Sequence, residues 1–337
     1  MVAVLARPLP SEGFHTPSPG IPPVASPYVL LPNDSRGQAS DYAGIEEQSP
    51  LRLRFVRPIV NAYQYCSPGS RYRFQTDATQ VTFTVAYNNL VTRYDARNYI
   101  AVVLINGAVT ASFDSRDVSY VLDLVGATSR LIELVWPYAD GMDLIQVSVN
   151  VGANFFTPAA RPSGKLVTGG DSITHGFTTT KITDTWAYKL AVLKSRQLVN
   201  IANGGAIAVA ADANALIGTG ADRVTYMIGY NNFGAQTALA TFQAAVEGWI
   251  NNAEANLPTA KIYIVSPIYS PNTNTITLAQ YRTSAAAAVT AAGGANVTYV
   301  NGLSIMTNNV DRLVDNIHPN DLGAGEIATA LAAIVAA

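Results

Sequence analysis

"KLVTGGDSITHG", residues 165–176, carries four residues suited to a buried strand straight into two glycines, an aspartate and a serine. An apolar start closed by turn formers describes a short strand that delivers Ser172 to a turn at the head of a helix. The same rhythm recurs to the end of the chain. The strand-like "QLVNIA" precedes an Ala-rich stretch expected to be helical around 206–217, and "RVTYMIG" precedes a long helical stretch over 235–256. "KIYIVSP" precedes "TLAQYRTSAAAAVTAAG", and "NVTYVNG" leads through a loop to "GAGEIATALAAIVAA". "TWAYKLAVLKS", after the first strand, reads as an amphipathic helix. Strands alternating with helices predict an α/β fold, a three-layer α/β/α domain over 165–337 with five mostly parallel strands covered on both faces. Ligands of such sheets bind outside the carboxyl ends of the strands.

Upstream the period changes. From 51 to 157 short runs of period two, rich in β-branched and aromatic residues, are separated by turns such as "ING" (105–107) and "ADG" (139–141). This pattern predicts an all-β sandwich, jelly-roll-like, with no helix interrupting it. Residues 158–164 read as a linker, and the Pro-, Ser- and Gly-rich residues 1–50 as an extended arm.

The bulk numbers exclude several classes. The 337 residues are 49% hydrophobic and 13% charged, which describes a globular chain. A net charge of −2 gives no reason to expect nucleic acid as a partner. Arg71, Tyr72, Arg73, Arg93, Tyr94 and Arg97 could form a basic aromatic surface, but Glu46, Glu47, Asp77 and Asp95 lie among them, so solvent faces of strands are expected instead. The single Cys66 rules out a disulfide framework within the chain and any CxxC site. No apolar run reaches the roughly 18–20 residues of a membrane span, so no membrane is expected as a partner. The N-terminal twenty residues lack a positive n-region and a sustained h-region, so an extracellular or surface location would need a signal outside this sequence or another export route; localisation and oligomeric state stay open. No cofactor or metal is expected: there is no P-loop, and the three histidines are scattered.

The strand ends carry the chemistry. They present Ser172, then Gly204 and Gly205, then Gly229, Asn231 and Asn232, and a loop past the fifth strand carries "DNIHP" with Asp315 and His318. A serine hydroxyl needs a base to become a nucleophile, and a histidine backed by a carboxylate supplies one. Asp315 and His318, three apart, can share one loop, and Pro319 biases His318 toward extended backbone. The Ser172 N–H, the Gly205 N–H and the Asn231 amide are candidate donors for an oxyanion, with Gly204 an alternative to Gly205. His175 is the rival base, but a ring three residues into the turn is expected to line the pocket. Asp171 is expected to accept backbone N–H groups, Asp311 is set aside on spacing, and His15 lies in the arm. Trp136, Tyr138, Trp186 and Tyr230 are aromatics that could stack on a sugar, at least two of them being expected to serve packing instead.

These four segments resemble the sequence blocks of the SGNH (GDSL-type) hydrolases. "GGDSITHG" resembles the first block, "NIANGGA" the second, "GYNN" the third and "DNIHP" the Asp-x-x-His block. The resemblance implies a flavodoxin-like SGNH fold with Ser172 as nucleophile and oxyanion donor, Gly205 and Asn231 as further donors, His318 as base and Asp315 as its orienter. Asn232 departs from the family, which usually has Asp there, and is expected to alter local hydrogen bonding more than activity. The β-rich half resembles the N-terminal β-domains of some SGNH esterases, including certain carbohydrate esterases. The implied function is a metal-independent serine esterase for short acyl groups, acetyl on a carbohydrate fitting best, with lipase or thioesterase activity using the same machinery. The competing reading is a carbohydrate-binding or adhesion protein, of a surface or phage tail, with a vestigial hydrolase domain.

Overall fold

The computed structural model describes residues 29–31, 34–40, 42, 44–48, 52–56, 67–87, 99–138 and 142–336. Among the described residues twelve strands precede the linker: β1 (Val29–Leu30), β2 (Gly37–Ser40), β3 (Gly44–Gln48), β4 (Arg52–Val56), β5 (Arg71–Thr76), β6 (Gln80–Tyr87), β7 (Ile100–Ile105), β8 (Ala108–Asp114), β9 (Ser119–Asp123), β10 (Arg130–Val135), β11 (Met142–Val149) and β12 (Phe155–Phe156). They form two antiparallel sheets, β3-β4-β11-β6-β9 with β1 also on β11, and β12-β5-β10-β7-β8 with β2 also on β5. The "ING" turn joins β7 to β8, with Asn106 and Gly107 both at positive φ (51° and 84°), as a tight twisted hairpin demands. β1, β2 and β3 lie inside the segment expected to be an arm; residues 29–48 thus supply strands to both sheets. His15, Cys66, Arg93, Tyr94, Arg97 and the "ADG" turn fall outside the described residues.

The alternation on β5 and β10 was expected to put arginines in solvent, and the structure corrects this. Tyr72, Phe74, Ile132 and Leu134 fill the sandwich core, while Arg71 and Arg73 on the opposite face are only 3% and 5% exposed. That second face is covered by the α/β domain: Val102, Leu104 and Val135 belong to its core. Buried cations need partners. Glu133, opposite Arg73 in the β5–β10 register, accepts from Arg71 Nη1 (3.1 Å) and Arg73 Nε (3.0 Å) through one oxygen. The Arg71 guanidinium also lies 4.8 Å from the ring centre of Tyr188 in the α/β domain. A sheet packed on both faces explains why strict polar-out reasoning failed here.

After the linker, β13 (Lys165–Gly170), β14 (Gln197–Asn200), β15 (Arg223–Met227), β16 (Lys261–Val265) and β17 (Val297–Val300) form a five-stranded parallel sheet in the order β14-β13-β15-β16-β17. The helices are α1 (Ser172–His175), α2 (Trp186–Leu193), α3 (Tyr230–Gly234), α4 (Leu239–Asn256), α5 (Leu278–Ala292) and α6 (Asp321–Ile334). The order reverses at β13, so the crevice beyond β13 and β15 is the topological switch point. Helix starts follow the sequence: Thr185 caps α2, Thr277 and Gln280 form a capping box on α5, and Asn320 caps α6 through Leu322 and Gly323 N–H. The stretch expected to be helical around 206–217 is shorter than read, a 3₁₀ helix over Ala210–Leu216. Gly205 at φ 78° and an Ala208 N–H taken by the Asn232 side chain (3.0 Å) remove its first turn from any helical ladder. Likewise 235–256 begins as a helix only at Leu239.

Candidate active site

Ser172 is placed by an unusual strand end. Gly170 sits at φ 141°, and a Cβ there would lie 2.1 Å from the Met227 carbonyl oxygen on β15, so the strand can close against its neighbour only with glycine. Asp171 then caps α1, its Oδ1 accepting the Ile173 N–H at 2.9 Å. This accords with the structural role expected of it. The Asp171 carboxyl is 1% exposed, and loss of water pushes its pKa up to about 7. Ser172, the first residue of α1, brings its Oγ to 2.7 Å from Nε2 of His318.

His318 stands on a loop wound tightly around Asp315. Asn316 takes the left-handed conformation (φ 65°), which Asn tolerates better than most residues. The loop closes where the Val314 N–H meets the His318 carbonyl (2.9 Å), and the Asn320 N–H meets the Arg312 carbonyl (2.9 Å) at the cap of α6. Asp315 Oδ2 lies 2.7 Å from His318 Nδ1; Oδ1 accepts the backbone N–H groups of His318 (2.8 Å) and Ile317 (3.1 Å). Burial works to raise the Asp315 pKa, but these donors outweigh it and hold the carboxyl below its ordinary value. An ionised Asp315 fixes the proton on Nδ1, leaving Nε2 to accept from the serine hydroxyl.

A second face of the imidazole is held by Phe177, whose ring meets it edge-on at 4.8 Å and 75°. Phe177 is presented by two positive-φ neighbours, Gly176 (105°) and the β-branched Thr178 (77°), and Thr178 Oγ1 donates to the Pro319 carbonyl at 3.2 Å. A Thr at this φ is strained, and such strain concentrates at sites that need a particular geometry. Sequence reasoning missed Phe177 and Thr178, and nothing in their local pattern marks them. Asn316 was the one legible clue, an Asn between the two loop residues already singled out.

The remaining aromatic candidates fare differently. Trp136 is fully buried in the sandwich core, its Nε1 donating to the Met142 carbonyl at 2.8 Å, so its face cannot reach a sugar. Trp186 is 1% exposed and its indole donates to the Ile173 carbonyl, which makes it packing under the serine turn. His175 is fully buried with its ring 4.0 Å from that of Tyr138, and Tyr138 in turn lies 6.0 Å from Phe177. The sandwich therefore reaches the site through Tyr138, as backing for the Phe177 wall; neither Tyr138 (4% exposed) nor His175 has ring surface to offer a ligand. Tyr230 is 8% exposed, and its hydroxyl accepts from Asn272 Nδ2 at 2.8 Å.

Two hydrogen bonds tie together the elements that carry the expected oxyanion donors. The Asn203 N–H bonds to the Gly170 carbonyl (2.9 Å), tying the second-strand loop to the end of β13, and Asn231 Nδ2 donates to the Ala206 carbonyl (2.9 Å), tying α3 to the same loop. Gly205 lies between these ties, and a Cβ there would face open space. Asn232 points the other way. Its Oδ1 accepts the Ala208 N–H and its Nδ2 donates to Thr237 Oγ1 at 3.3 Å. Among the described residues no three His, Cys, Asp or Glu side chains are grouped to hold a metal ion, and no helix is long and apolar enough to cross a membrane.

Residues 169–325 match the model of the GDSL-like Lipase/Acylhydrolase family. No curated protein matches the chain in sequence. Solved structures do match its fold. The salicylyl-acyltransferase SsfX3 from a tetracycline biosynthetic pathway superposes with a TM-score of 0.76 at 19% identity, covering 91% of this chain and 97% of that one. A family two carbohydrate esterase from Cellvibrio japonicus gives 0.72 at 14% identity, covering 91% and 96%. An acetyl xylan esterase, Est2A, from the rumen bacterium Butyrivibrio proteoclasticus gives 0.63 at 11% identity, covering 92% and 96%. The α/β domain and the β-rich region before it are thus shared as one architecture.

Proposed function

We propose that the GDSL-like lipase/acylhydrolase domain of this chain is a serine esterase that removes short acyl groups, acetyl foremost, from carbohydrate esters. The observation that carries the reading is the continuous hydrogen-bonded chain Ser172 Oγ–His318–Asp315, with 2.7 Å at each junction. In this mechanism His318 Nε2 takes the Ser172 proton as Oγ attacks the ester carbonyl. The tetrahedral oxyanion is held by the Ser172 and Gly205 N–H groups and the Asn231 amide, and each such donor is worth about 10²–10³ in rate. His318 returns its proton to the departing alkoxide, releasing the alcohol. Water, deprotonated by His318, then attacks the acyl-serine; collapse frees the acid and restores Ser172 to its protonated form. Asp315 stays ionised throughout and stabilises the imidazolium.

A neighbour named a family two carbohydrate esterase and one named an acetyl xylan esterase support the carbohydrate part of the reading, and the acyltransferase neighbour supports a second one, in which an alcohol replaces water at the acyl-serine. Hydrolysis of p-nitrophenyl acetate, with EDTA present, by the wild-type chain and by Ser172→Ala tests the esterase. Turnover that falls about 10⁶-fold in the variant is expected. Equal activity in both would mean that another group does the chemistry. Adding acceptor alcohols and assaying for transferred acetyl separates hydrolysis from transfer. If neither ester nor acceptor is consumed by folded protein, the carbohydrate-binding or adhesion reading takes precedence.

A further inference from the structure

The loop from β16 to α5, residues 266–277, reads "SPIYSPNTNTIT" and carries no charge. Together with Phe233, Leu303 and Asn308, this loop lines a cavity of about 410 Å³. The single charged residue of the lining, Arg282, is committed to the loop itself, donating to the carbonyls of Pro267 (2.7 Å) and Ile268 (2.8 Å). Several polar groups of the lining remain unspent: the Tyr269 hydroxyl, the Thr273 hydroxyl, the Asn272 Oδ1 and the Asn308 amide make no hydrogen bond to any described residue.

The cavity is fastened to the candidate site on two sides. Ser270 Oγ donates to the carbonyl of Asn316, between Asp315 and His318, at 2.7 Å. On the other side Asn272 Nδ2 donates to the hydroxyl of Tyr230, the residue before Asn231. The chemistry of the lining discriminates among occupants. An anion would meet a single guanidinium whose Nε and Nη2 already serve loop carbonyls, and a long acyl chain would strip water from four polar groups without pairing them. Neutral hydroxyls would pair with these amides and hydroxyls, and the C–H face of a sugar ring would lie on the Tyr269 ring.

We propose that this cavity is the subsite for the alcohol half of the ester, a neutral saccharide, gripped by Tyr269, Asn272, Thr273 and Asn308. The assignment rests on the esterase reading, so its test is separated from turnover. Xylotriose and cellotriose are titrated into the Ser172→Ala chain by calorimetry and by NMR, and again with Tyr269→Ala or Thr273→Trp added. Thr273 is exposed, so the tryptophan plugs the cavity without disturbing a core even if loss of Tyr269 unsettles the loop. Binding of at least one trisaccharide is expected, weakened tenfold or more by either change. Absence of binding at about 10 mM, or affinity untouched by both changes, overturns the subsite. The p-nitrophenyl acetate assay reports separately: Ser172-dependent turnover without saccharide binding sinks the subsite alone, and cavity-dependent binding without turnover sinks the esterase alone.

Discussion

A single carboxylate, that of Asp315, grips both the ring and the backbone of His318: Oδ2 meets Nδ1 at 2.7 Å and Oδ1 meets the backbone N–H at 2.8 Å. The backbone contact fixes where the residue stands and the ring contact fixes its rotation, because the imidazole cannot swing away from Ser172 without breaking its bond to Oδ2. The i,i+3 spacing is what allows it, and Asn316 at positive φ supplies the bend.

Asp315→Asn separates the two functions of that carboxylate. The amide oxygen keeps the backbone contacts, so the loop should keep its shape and the melting temperature at neutral pH should fall only by what the charge itself contributes. An amide cannot stabilise the imidazolium, and its N–H₂ competes for the wrong tautomer, so kcat should fall by about 10⁴-fold with a small change in KM. Because Asp315 is held below its ordinary pKa, its contribution to stability is present at neutral pH and is lost as pH falls through its folded value. The acid limb of a melting-temperature profile should therefore be flatter in the variant. A kcat within tenfold of wild type would show that Asp315 does not serve the base.

Asp171 predicts the opposite slope. Its buried carboxyl binds a proton more tightly folded than unfolded, with a folded value of about 7 against an ordinary 3.8. Stability from this group is therefore full below the unfolded value and drains as pH rises toward 7, by up to about 1.4 kcal/mol per pH unit, then levels off. Asp171→Asn retains an oxygen for the Ile173 N–H and carries no proton to lose. Melting temperatures taken from pH 4 to 8 should fall more steeply for wild type than for the variant over this range. Parallel curves would mean that the carboxyl is not held neutral by its burial.

Much of this site was readable because it sits at strand ends. An apolar run closed by turn formers precedes Ser172, Gly205 and Asn231, and the short Asp315–His318 spacing marks one loop ahead of the last helix. What the pattern could not convey was the second covering of a sheet. Arg71 and Arg73 alternate with Tyr72 and Phe74 as a solvent face would, and only the packing of the α/β domain shows that face to be interior. Trp136 failed for the converse reason: an aromatic at a strand end looks available until the opposite sheet is laid over it. Phe177 and Thr178 were invisible because their role is set by backbone conformation, and the short strands within 29–48 because prolines and glycines around them read as an arm.

Gly170→Ala should be among the most damaging single changes in the chain. The left-handed φ of 141° is open to glycine, and an added methyl would meet Thr174 Oγ1 at 2.7 Å and the Met227 carbonyl oxygen at 2.1 Å, and that carbonyl cannot retreat without parting β13 from β15. A loss of stability above about 3 kcal/mol is expected, read by urea denaturation, along with loss of Ser172-dependent turnover. A soluble variant melting within a few degrees of wild type would show that the strand end can relax.

Asn232→Asp restores the residue that the resemblance leads one to expect. In this chain Asn232 is 1% exposed and uses both ends of its amide, accepting from the Ala208 N–H at 3.0 Å and donating to Thr237 Oγ1 at 3.3 Å. A carboxylate keeps the first contact and reverses the second, with the Thr237 hydroxyl turning to donate. Two donors offset much of the cost of burying the charge, so stability should stay within about 1 kcal/mol of wild type. The side chain faces Ala208 and Thr237, while its neighbour Asn231 reaches Ala206, so the proposed oxyanion donors keep their supports. Turnover of p-nitrophenyl acetate should accordingly stay within about threefold. A drop beyond a hundredfold in a variant of unchanged stability would mean that position 232 acts on the chemistry, through Ala208 and the loop that carries Gly205, and that Asn there is a functional choice of this chain.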